Sequence, residues 1–284
     1  MPGTAPLMSG QITLDEALAL QLVDMSAELA QSLRETLVTI AQACAEIAEI
    51  AAMGSLADAH GAADSSNSHG EVQQKLDLLA DDRMSAALSQ CPHVAAWASE
   101  EHEHIHTAEE RWNQPGSQRG SHARLLVVYD PLDGSSNIES NISIGTIFSV
   151  LPHPYRGTTP GDAGFMQPGH QQLAAGYVLY GPATILVLTC RRGVQMYTLD
   201  RRSPTGQPAR WVLTRDQVTI APQTREFAIN SSNQRFWEKP VQRYVAECVA
   251  GDSGPRMKDF NMRWVASMVA EVHRIMTRGG VFLY

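Results

Sequence analysis

Cysteine is scarce in this chain, and its few copies lie far apart. The 284 residues include four cysteines, and no two of them form a Cys-x-x-Cys pair. This spacing excludes the common zinc motifs and the dithiol motif of thioredoxin-like redox proteins. Scattered cysteines are typical of a reducing compartment, so the sequence predicts a cytoplasmic protein whose thiols are reduced and packed in the interior.

Positive charge and long apolar runs are also in short supply. The chain carries 22 Lys and Arg against 30 Asp and Glu, which gives a net charge of −8. This balance argues against a nucleic-acid partner. No unbroken apolar stretch reaches about 18 residues, and the N-terminus lacks the basic and then apolar layout of a signal peptide. The sequence therefore predicts no membrane segment.

The most informative stretch is residues 129–139, which read YDPLDGSSNIE. The run before it, residues 124–129, is apolar and rich in leucine and valine, so it predicts a buried strand that Pro131 ends. Asp130 and Asp133 would then lie at a strand end. Carboxylates at such a position can bind a hard divalent cation such as Mg²⁺.

The residues after the second aspartate favour an anion site. Gly134 permits a tight turn, and the backbone N–H groups of Gly134, Ser135 and Ser136 can point at a phosphate. A plain turn is the alternative, because Asp and Ser enter turns for local hydrogen bonding alone. The short LDGS string by itself favours that turn. The whole string after a buried strand, with more acids upstream, favours a site for phosphate-ester chemistry.

Apolar periodicity predicts the elements around this motif. Thr13 and Glu16 have capping-box spacing before an amphipathic helix. Its buried face is predicted to comprise Leu29, Leu33, Leu37, Ile40, Cys44 and Ile47. A second helix is predicted over Val72–Ser89, and a third from the stripe Trp264, Val265, Met268, Val269, Val272, Ile275 and Met276. Strands are predicted at 94–98, 184–190, 194–199, 211–214, 226–230 and 281–284.

A strand at residues 226–230 would start a new layer, so a domain boundary is predicted near residue 217, between domains 1–217 and 218–284. Upstream, the strand at 94–98 presents Glu100 and Glu101. A loop is predicted from residue 102 to residue 121. Alternating histidines at 102, 104 and 106 could bind a transition metal in an extended segment, but a solvated loop is favoured.

The string DPLDGSSN, followed by ISIGTIFSV at 142–150, resembles class I fructose-1,6-bisphosphatase, a family of the metal-dependent, lithium-sensitive sugar phosphatases. Further matching strings follow the family order: KLD at 75–77, SEE at 99–101, LAAGYVLYGPAT at 173–184, SMVAEVHR at 267–274 and GGVFLY at 279–284. The resemblance implies a layered α/β sandwich of two related halves and a homotetramer. It places the catalytic acids in the first domain and the sugar-phosphate site in the second.

The resemblance also implies a role for individual residues. The implied ligands of Mg²⁺, with Mn²⁺ as an alternative, are Glu100, Asp130, the Leu132 carbonyl and Asp133. The acids implied to orient or deprotonate water are Asp77, Glu101 and Glu71, the last standing where the family usually has aspartate. Gly134, Ser135 and Ser136 would hold the reacting phosphate. The residues implied to hold the distal phosphate or frame the sugar are Asn230, Arg263 and Tyr284.

Several positions depart from the family pattern. Trp264 and Asn233 stand where tyrosines are usual, so contacts to the distal phosphate are expected to differ. Arg124 and Leu125 replace a Lys-Tyr pair of the animal AMP site, so AMP control is not expected. The family continues beyond the position of Tyr284 with further charged site residues, and a chain without them is expected to turn over slowly.

The function expected from these residues is hydrolysis of the 1-phosphate of fructose 1,6-bisphosphate, in gluconeogenesis or the Calvin cycle. A dual enzyme that also accepts sedoheptulose 1,7-bisphosphate is an enzymatic alternative. A catalytically impaired remnant that keeps sugar-phosphate binding or subunit association is a non-enzymatic one. Inositol-phosphate hydrolysis is disfavoured by the SSN extension of the motif.

Overall fold

Three β-sheets with helices against their faces make up the described part of the chain. The computed structural model describes residues 12–57, 62–66, 72–108, 124–154, 160–202 and 209–283. The α-helices are α1 (Leu14–Gln21), α2 (Ala27–Met53), α3 (Lys75–Gln90), α4 (Lys239–Val249) and α5 (Met268–Arg278). The strands are β1 (Ala62–Ser66), β2 (Val72–Gln74), β3 (Val94–Ser99), β4 (His106–Thr107), β5 (Leu125–Asp133), β6 (Ile144–Pro152), β7 (Ala174–Tyr180), β8 (Thr184–Thr189), β9 (Val194–Asp200), β10 (Arg210–Arg215), β11 (Glu226–Ile229), β12 (Asn261–Arg263) and β13 (Val281–Leu283).

The largest sheet has eight strands in the order β10-β9-β8-β7-β6-β5-β3-β4, while β1 and β2 form a separate pair. Every neighbouring pair in the large sheet is antiparallel except β3 and β5. In that parallel pair Ser99 lies opposite Tyr129. The two strands therefore end at the same edge, and the residues that follow them become neighbours.

Helices α1, α2 and α3 cover one face of the large sheet and share a core with it. Thr13 and Glu16 form the predicted capping box at the start of α1. The predicted buried face of α2 is also confirmed, because five of its six residues are at most 2% exposed: Leu33, Leu37, Ile40, Cys44 and Ile47. Burial contributes about 1.5–3 kcal/mol for each large aliphatic side chain, so this face anchors the helical layer.

Helix α2 is long and apolar enough, by length and composition, to cross a membrane, and it alone passes that test among the described helices. Half of its most apolar window is buried inside the protein. The core helix of a folded domain passes the same test. The contacts of α2 with the core of the large sheet are those of such a core helix.

The opposite face of the large sheet carries α5 and then a second sheet. Helix α5 contacts β6 and β7, and it also contacts β13 of the second sheet. This parallel sheet has the order β12-β11-β13. Helix α4 covers it by packing Val245 and Cys248 against Phe227 and Ile229. The order of layers is helices, sheet, helix, sheet, helix, which confirms the predicted layered α/β fold. The domain boundary near residue 217 stays a prediction.

Two helices begin later than the apolar periodicity indicated. The first three residues of the predicted helix Val72–Ser89 form β2 instead. Trp264 and Val265 precede α5 rather than forming its first turn. Ala266 has φ +58°, a left-handed conformation that interrupts helical backbone. Ser267 then caps α5 by accepting from the N–H of the residue three positions on.

Three arginines surround a buried glutamate at the start of β11. Glu226 Oε2 lies 2.8 Å from Arg274 Nη1, and Glu226 Oε1 lies 2.8 Å from Arg278 Nη2 and 3.6 Å from Arg263 Nη2. Burial alone raises the pKa of Glu226, but the arginines outweigh it, so this pKa lies below its ordinary value. The folded state therefore favours the ionised form of Glu226 more strongly than the unfolded state does. That stability is present above the ordinary carboxyl pKa and is lost as the pH falls through the lowered value.

Glu226→Gln is expected to lower the free energy of unfolding at pH 7 by about 3 kcal/mol. This is the low end of the range for breaking a buried ion pair, because two of the three arginines reach solvent. The difference from the unchanged chain should shrink as the pH falls below 4, in urea titrations at several pH values. Glu238→Gln, at an exposed acid, should change stability little. A difference that is constant with pH would contradict this account.

Candidate active site

The ends of β3 and β5 bring four predicted acids to one edge of the large sheet. Glu100 and Glu101 follow β3, while β5 itself contains Asp130 and Asp133. The prediction that Pro131 ends the strand is wrong, because β5 continues through it. The pairing with β6 instead slips between Asp130 and Asp133, since proline cannot donate a ladder hydrogen bond.

Asp130 lies in a mostly buried and strongly negative environment. Burial, and then the nearby charge of Asp133, raise the pKa of Asp130 to about 7, with smaller contributions from Glu100 and Glu101. The N–H of Leu132 opposes the rise by donating to Asp130 Oδ1 at 2.9 Å. Carboxylates this close disfavour one another's charged forms, and a nearby cation favours them. The edge is therefore electrostatically suited to positive charge.

Asp133 links this edge to the N-terminus of α5, the helix between the two sheets. Its Oδ2 accepts hydrogen bonds from Ser267 Oγ at 2.8 Å and from the backbone N–H of Val269 at 2.9 Å. Burial raises the pKa of Asp133, and these donors, together with the N–H of Met268, oppose that rise. The N-terminus of α5 thus stabilises the negative charge of an acid that belongs to β5.

The turn after Asp133 has the geometry that glycine allows. Gly134 has φ +80°, and a Cβ at this position would lie 2.7 Å from Ser267 Cβ. The chain then enters a 3₁₀ turn over Ser135–Asn137. The first N–H groups of such a turn have no partner within it, so they are available to an anion. The position of Gly134, Ser135 and Ser136 beside the acids is compatible with the predicted phosphate cradle, whose role stays a prediction.

The predicted water-activating acids are buried where the structure describes them. Asp77 lies in the first turn of α3, is 2% exposed, and accepts from the N–H of Gln74 at 2.7 Å through Oδ2. Glu101 is 8% exposed. Glu71 lies outside the described residues. The catalytic roles of all three stay predictions.

The donor chemistry of this edge fits a hard divalent cation. Glu100, Asp130 and Asp133 supply carboxylate oxygens, and Leu132 lies between the two aspartates with a carbonyl to offer. Across the described ranges, no three Asp, Glu, His or Cys side chains converge closely enough to hold an ion as they stand. Asp130 and Asp133 each engage the protein through one oxygen. The four predicted ligands are thus in one region, and their ligation stays a prediction.

A cleft of about 810 Å³ opens between this edge and the second sheet. Asp133 and Asn230 both line it, so one ligand can touch Asp133 and the second sheet together. Glu100 and Asp130 line a separate pocket of about 690 Å³ against the large sheet. Asn230 begins a short 3₁₀ turn, and its Oδ1 accepts from the N–H of Ser232. Trp264 stacks on Phe282 with 6.0 Å between ring centroids. A cleft of this size, lined by both apolar and polar side chains, suits a small ligand.

Arg263 does not line this cleft. It lies on β12, its side chain is 45% exposed, and it is paired with Glu226. Tyr284 lies outside the described residues. Of the three residues predicted for the distal phosphate, Asn230 is therefore the one that the described structure places in the cleft.

Sequence reasoning missed two residues that organise the site. Ser267 begins the matching string at 267–274 without an implied role of its own, yet it caps α5 and donates to Asp133. Asp81 lies in none of the matching strings, yet it is 3% exposed and accepts from Ser99, Tyr129 and His102. Its position four residues after Asp77 places both acids on one face of α3. That spacing was the available signal.

Comparisons with known proteins agree along the length of the chain. The family models for the N-terminal and C-terminal domains of fructose-1,6-bisphosphatase match residues 13–211 and 220–284. A class 1 fructose-1,6-bisphosphatase of Methylibium petroleiphilum is 60% identical over 253 residues, which cover 89% of this chain and 70% of that protein. The class 1 enzyme of Alkalilimnicola ehrlichii is 49% identical, with coverage of 90% and 73%.

Solved structures give the same result. The fructose-1,6-bisphosphatase of Leishmania major in its holo form has a TM-score of 0.82 to this chain, at 27% sequence identity. That match covers 97% of this chain and 79% of the Leishmania chain. The apo form has a TM-score of 0.77.

Gly134→Ala is expected to destabilise the chain by at least about 2 kcal/mol. The left-handed backbone costs an L-residue about 1–2 kcal/mol, and the close approach of Ser267 adds to this. Gly169→Ala is the matched control, because a Cβ there meets nothing within 4 Å. Thermal melts of the two variants should differ clearly. Equal melting temperatures would show that the turn can relax without cost.

Proposed function

This chain belongs to the fructose-1,6-bisphosphatase family, and from that membership we propose that it hydrolyses the 1-phosphate of fructose 1,6-bisphosphate to give fructose 6-phosphate and phosphate. The observation that carries the proposal is the position of Asp133. Its charge acts on Asp130 in the acidic edge of the large sheet, and the same residue lines the cleft that Asn230 shares. A bisphosphate bound across this cleft would place one phosphate at the acids and the other near the second sheet.

Phosphate-monoester hydrolysis is very slow without help, and neutralising the charge of the phosphoryl group is a large part of catalysis. The family requires a divalent metal for this purpose, and we assign Mg²⁺, with Mn²⁺ as an alternative. The proposed ligands are Glu100, Asp130, the Leu132 carbonyl and Asp133. Bound there, the metal would polarise the phosphate and stabilise the developing negative charge.

The chain's own groups would do the remaining work. The N–H groups of Gly134, Ser135 and Ser136 would orient the reacting phosphate. Asp77 and Glu101 would orient the attacking water and accept its proton, because both are buried carboxylates and a carboxylate can act as a general base. Glu71 is proposed as a further acid of this set, where its charge would add to theirs.

The distal phosphate would be held by Asn230 and Tyr284 together with an arginine from another subunit. Arg263 is exposed and lies outside its own chain's cleft. A guanidinium is well suited to two-point phosphate binding. We therefore propose a homotetramer in which Arg263 serves a neighbouring cleft, in a cytoplasmic enzyme of carbohydrate metabolism.

The proposal is tested by measuring phosphate release from fructose 1,6-bisphosphate with Mg²⁺ and by identifying the sugar product. The expected product is fructose 6-phosphate, and release should stop with a chelator. Sedoheptulose 1,7-bisphosphate shares the reacting end and is assayed in parallel, as is an inositol phosphate. Release from neither fructose nor sedoheptulose bisphosphate above the background of an inactive variant would contradict the proposal.

Asp130→Asn is expected to lower Mg²⁺-dependent turnover by at least about 10²-fold, because one preorganised charge is lost from the site. The fold should remain intact, since the substitution also relieves repulsion among the four carboxylates. Asp133→Asn should lose turnover similarly, with some loss of stability from the bonds to α5. Glu139→Gln, at an exposed acid in the same segment, is the control. Near-normal turnover of both aspartate variants would overturn their assignment as ligands.

Arg263→Ala is expected to raise KM for fructose 1,6-bisphosphate at least about tenfold with a smaller change in kcat. The reason is that a phosphate contact far from the reacting bond contributes similar binding to the ground and transition states. Arg243→Ala removes an equally charged, highly exposed side chain on α4 and should leave KM unchanged. A fall in kcat at constant KM would show that Arg263 has a different role.

A further inference from the structure

We infer that Asp81 is a positioning residue that fixes the relative placement of the two acid-bearing strand ends. The inference rests on the proposed function, because it concerns the same metal-binding acids. Asp81 lies on α3, outside the set of residues assigned to metal or substrate. It acts on that set through its neighbours Ser99 and Tyr129.

The geometry around Asp81 is that of a buried clamp. Asp81 Oδ1 accepts from Ser99 Oγ at 2.5 Å and from the Tyr129 hydroxyl at 2.8 Å. Asp81 Oδ2 is 2.8 Å from His102 Nε2. Asp81, Ser99 and Tyr129 are at most 7% exposed. A buried carboxylate with several good donors holds them firmly, because leaving any of these groups unpaired in the interior is costly.

Each donor is directly linked to an acid of the proposed site. Ser99 precedes Glu100, and its Oγ also accepts from the N–H of Glu101 at 3.3 Å. Tyr129 precedes Asp130, and its carbonyl accepts from the N–H of Glu100 at 3.1 Å. One carboxylate on α3 therefore ties the last residue of β3 to the residue of β5 that precedes Asp130. The pairing of β5 with β6 becomes irregular directly after Asp130.

His102 completes the clamp on the solvent side. The sequence predicted a loop from residue 102, but residues 106–107 form β4 and pair with β3. The ring of His102 packs edge-on against His106 at 4.8 Å, and His106 stacks on Trp97. The Trp97 indole N–H donates to Ser85 Oγ on α3. These contacts hold His102 against Asp81 although the side chain of His102 is 43% exposed.

A residue that only stabilised the fold would affect the folded fraction and nothing else. A positioning residue affects how well the folded protein binds metal. Partners that orient metal ligands typically change metal affinity by about 10–100-fold when they are replaced. The two roles are therefore separable by measuring metal binding and stability on the same samples.

The experiment compares Asp81→Leu, Asp81→Asn and Asp82→Leu in the whole chain. Mn²⁺ binding is measured by calorimetry, the Mg²⁺ concentration for half-maximal phosphate release by titration, and the folded fraction by circular dichroism. Asp81→Leu should weaken Mn²⁺ binding about tenfold and raise the Mg²⁺ requirement in parallel. KM for fructose 1,6-bisphosphate at saturating metal should stay within about twofold.

Asp81→Asn keeps an oxygen that can accept from Ser99 and Tyr129, so it should restore Mn²⁺ binding to within about threefold of the unchanged chain. Asp82→Leu makes the same substitution at the adjacent, exposed acid and should change nothing. Tyr129→Phe removes one bond of the clamp with little change in volume. It should weaken Mn²⁺ binding about threefold, and it decides the question if Asp81→Leu fails to fold.

Unchanged Mn²⁺ affinity in folded Asp81→Leu, or in Tyr129→Phe where the leucine variant is unfolded, would overturn the inference. An equal effect of Asp82→Leu would also overturn it, because the effect would then be one of net charge. If the unchanged chain bound Mn²⁺ and the Asp81 and Tyr129 variants bound it equally well, the inference would fall and the proposed function would stand. If the unchanged chain bound no Mn²⁺, the metal assignment and the inference would both fall.

Discussion

The hydrogen bonds from the start of α5 to Asp133 are the contacts on which the arrangement of the site depends. Asp133 belongs to β5, and its Oδ2 accepts from Ser267 Oγ and from the N–H of Val269. Asn137 strengthens the same junction by donating to the carbonyls of Val265 and Ala266. Because α5 also contacts β13, these bonds fix the large sheet against the second sheet and define the cleft between them.

The same bonds help a cluster of acids to exist in a folded chain. Four carboxylates near one strand end oppose folding, as the raised pKa of Asp130 records. The molecule offsets part of this cost with fixed donors rather than with charges of its own. The N-terminus of α5 faces Asp133, and the Leu132 N–H faces Asp130. Repulsion that remains after these contacts is what makes such an edge receptive to cations.

The sequence predicted those features that depend on short segments. The strand before Asp130, the glycine turn at residue 134, the α2 core face and the strands β8 and β9 all follow from local pattern, and the structure has them. Predictions failed where a long-range contact overrides the pattern. The α5 stripe predicted a helix from Trp264, but Ala266 has a left-handed conformation and its carbonyl accepts from Asn137, 129 residues away.

The partners of the organising residues could not be read from the sequence for the same reason. Asp81 acquires its function from Ser99 and Tyr129, which lie 18 and 48 residues away along the chain. Ser267 meets Asp133 across 134 residues. One sequence read for motifs and periodicity reports which residues can do chemistry. It does not report which polar side chains will meet in the interior, because that is decided by the packing of layers.

The cleft has a consistent charge pattern that bears on assembly. Its described lining includes Asp133 and Glu238 and no lysine or arginine. A bisphosphate entering such a cleft needs positive charge at both ends. At one end, the acidic edge can supply this positive charge by binding a cation. At the other end the described lining offers amides and aromatic rings, and Arg263 lies outside on β12, where Glu226 holds it beside two further arginines. Arg274 also pairs with Glu271, so three arginines face two carboxylates and the cluster keeps surplus positive charge. A second copy of the chain that presented this surface to the cleft would supply the missing charge, which supports the homotetramer proposed above.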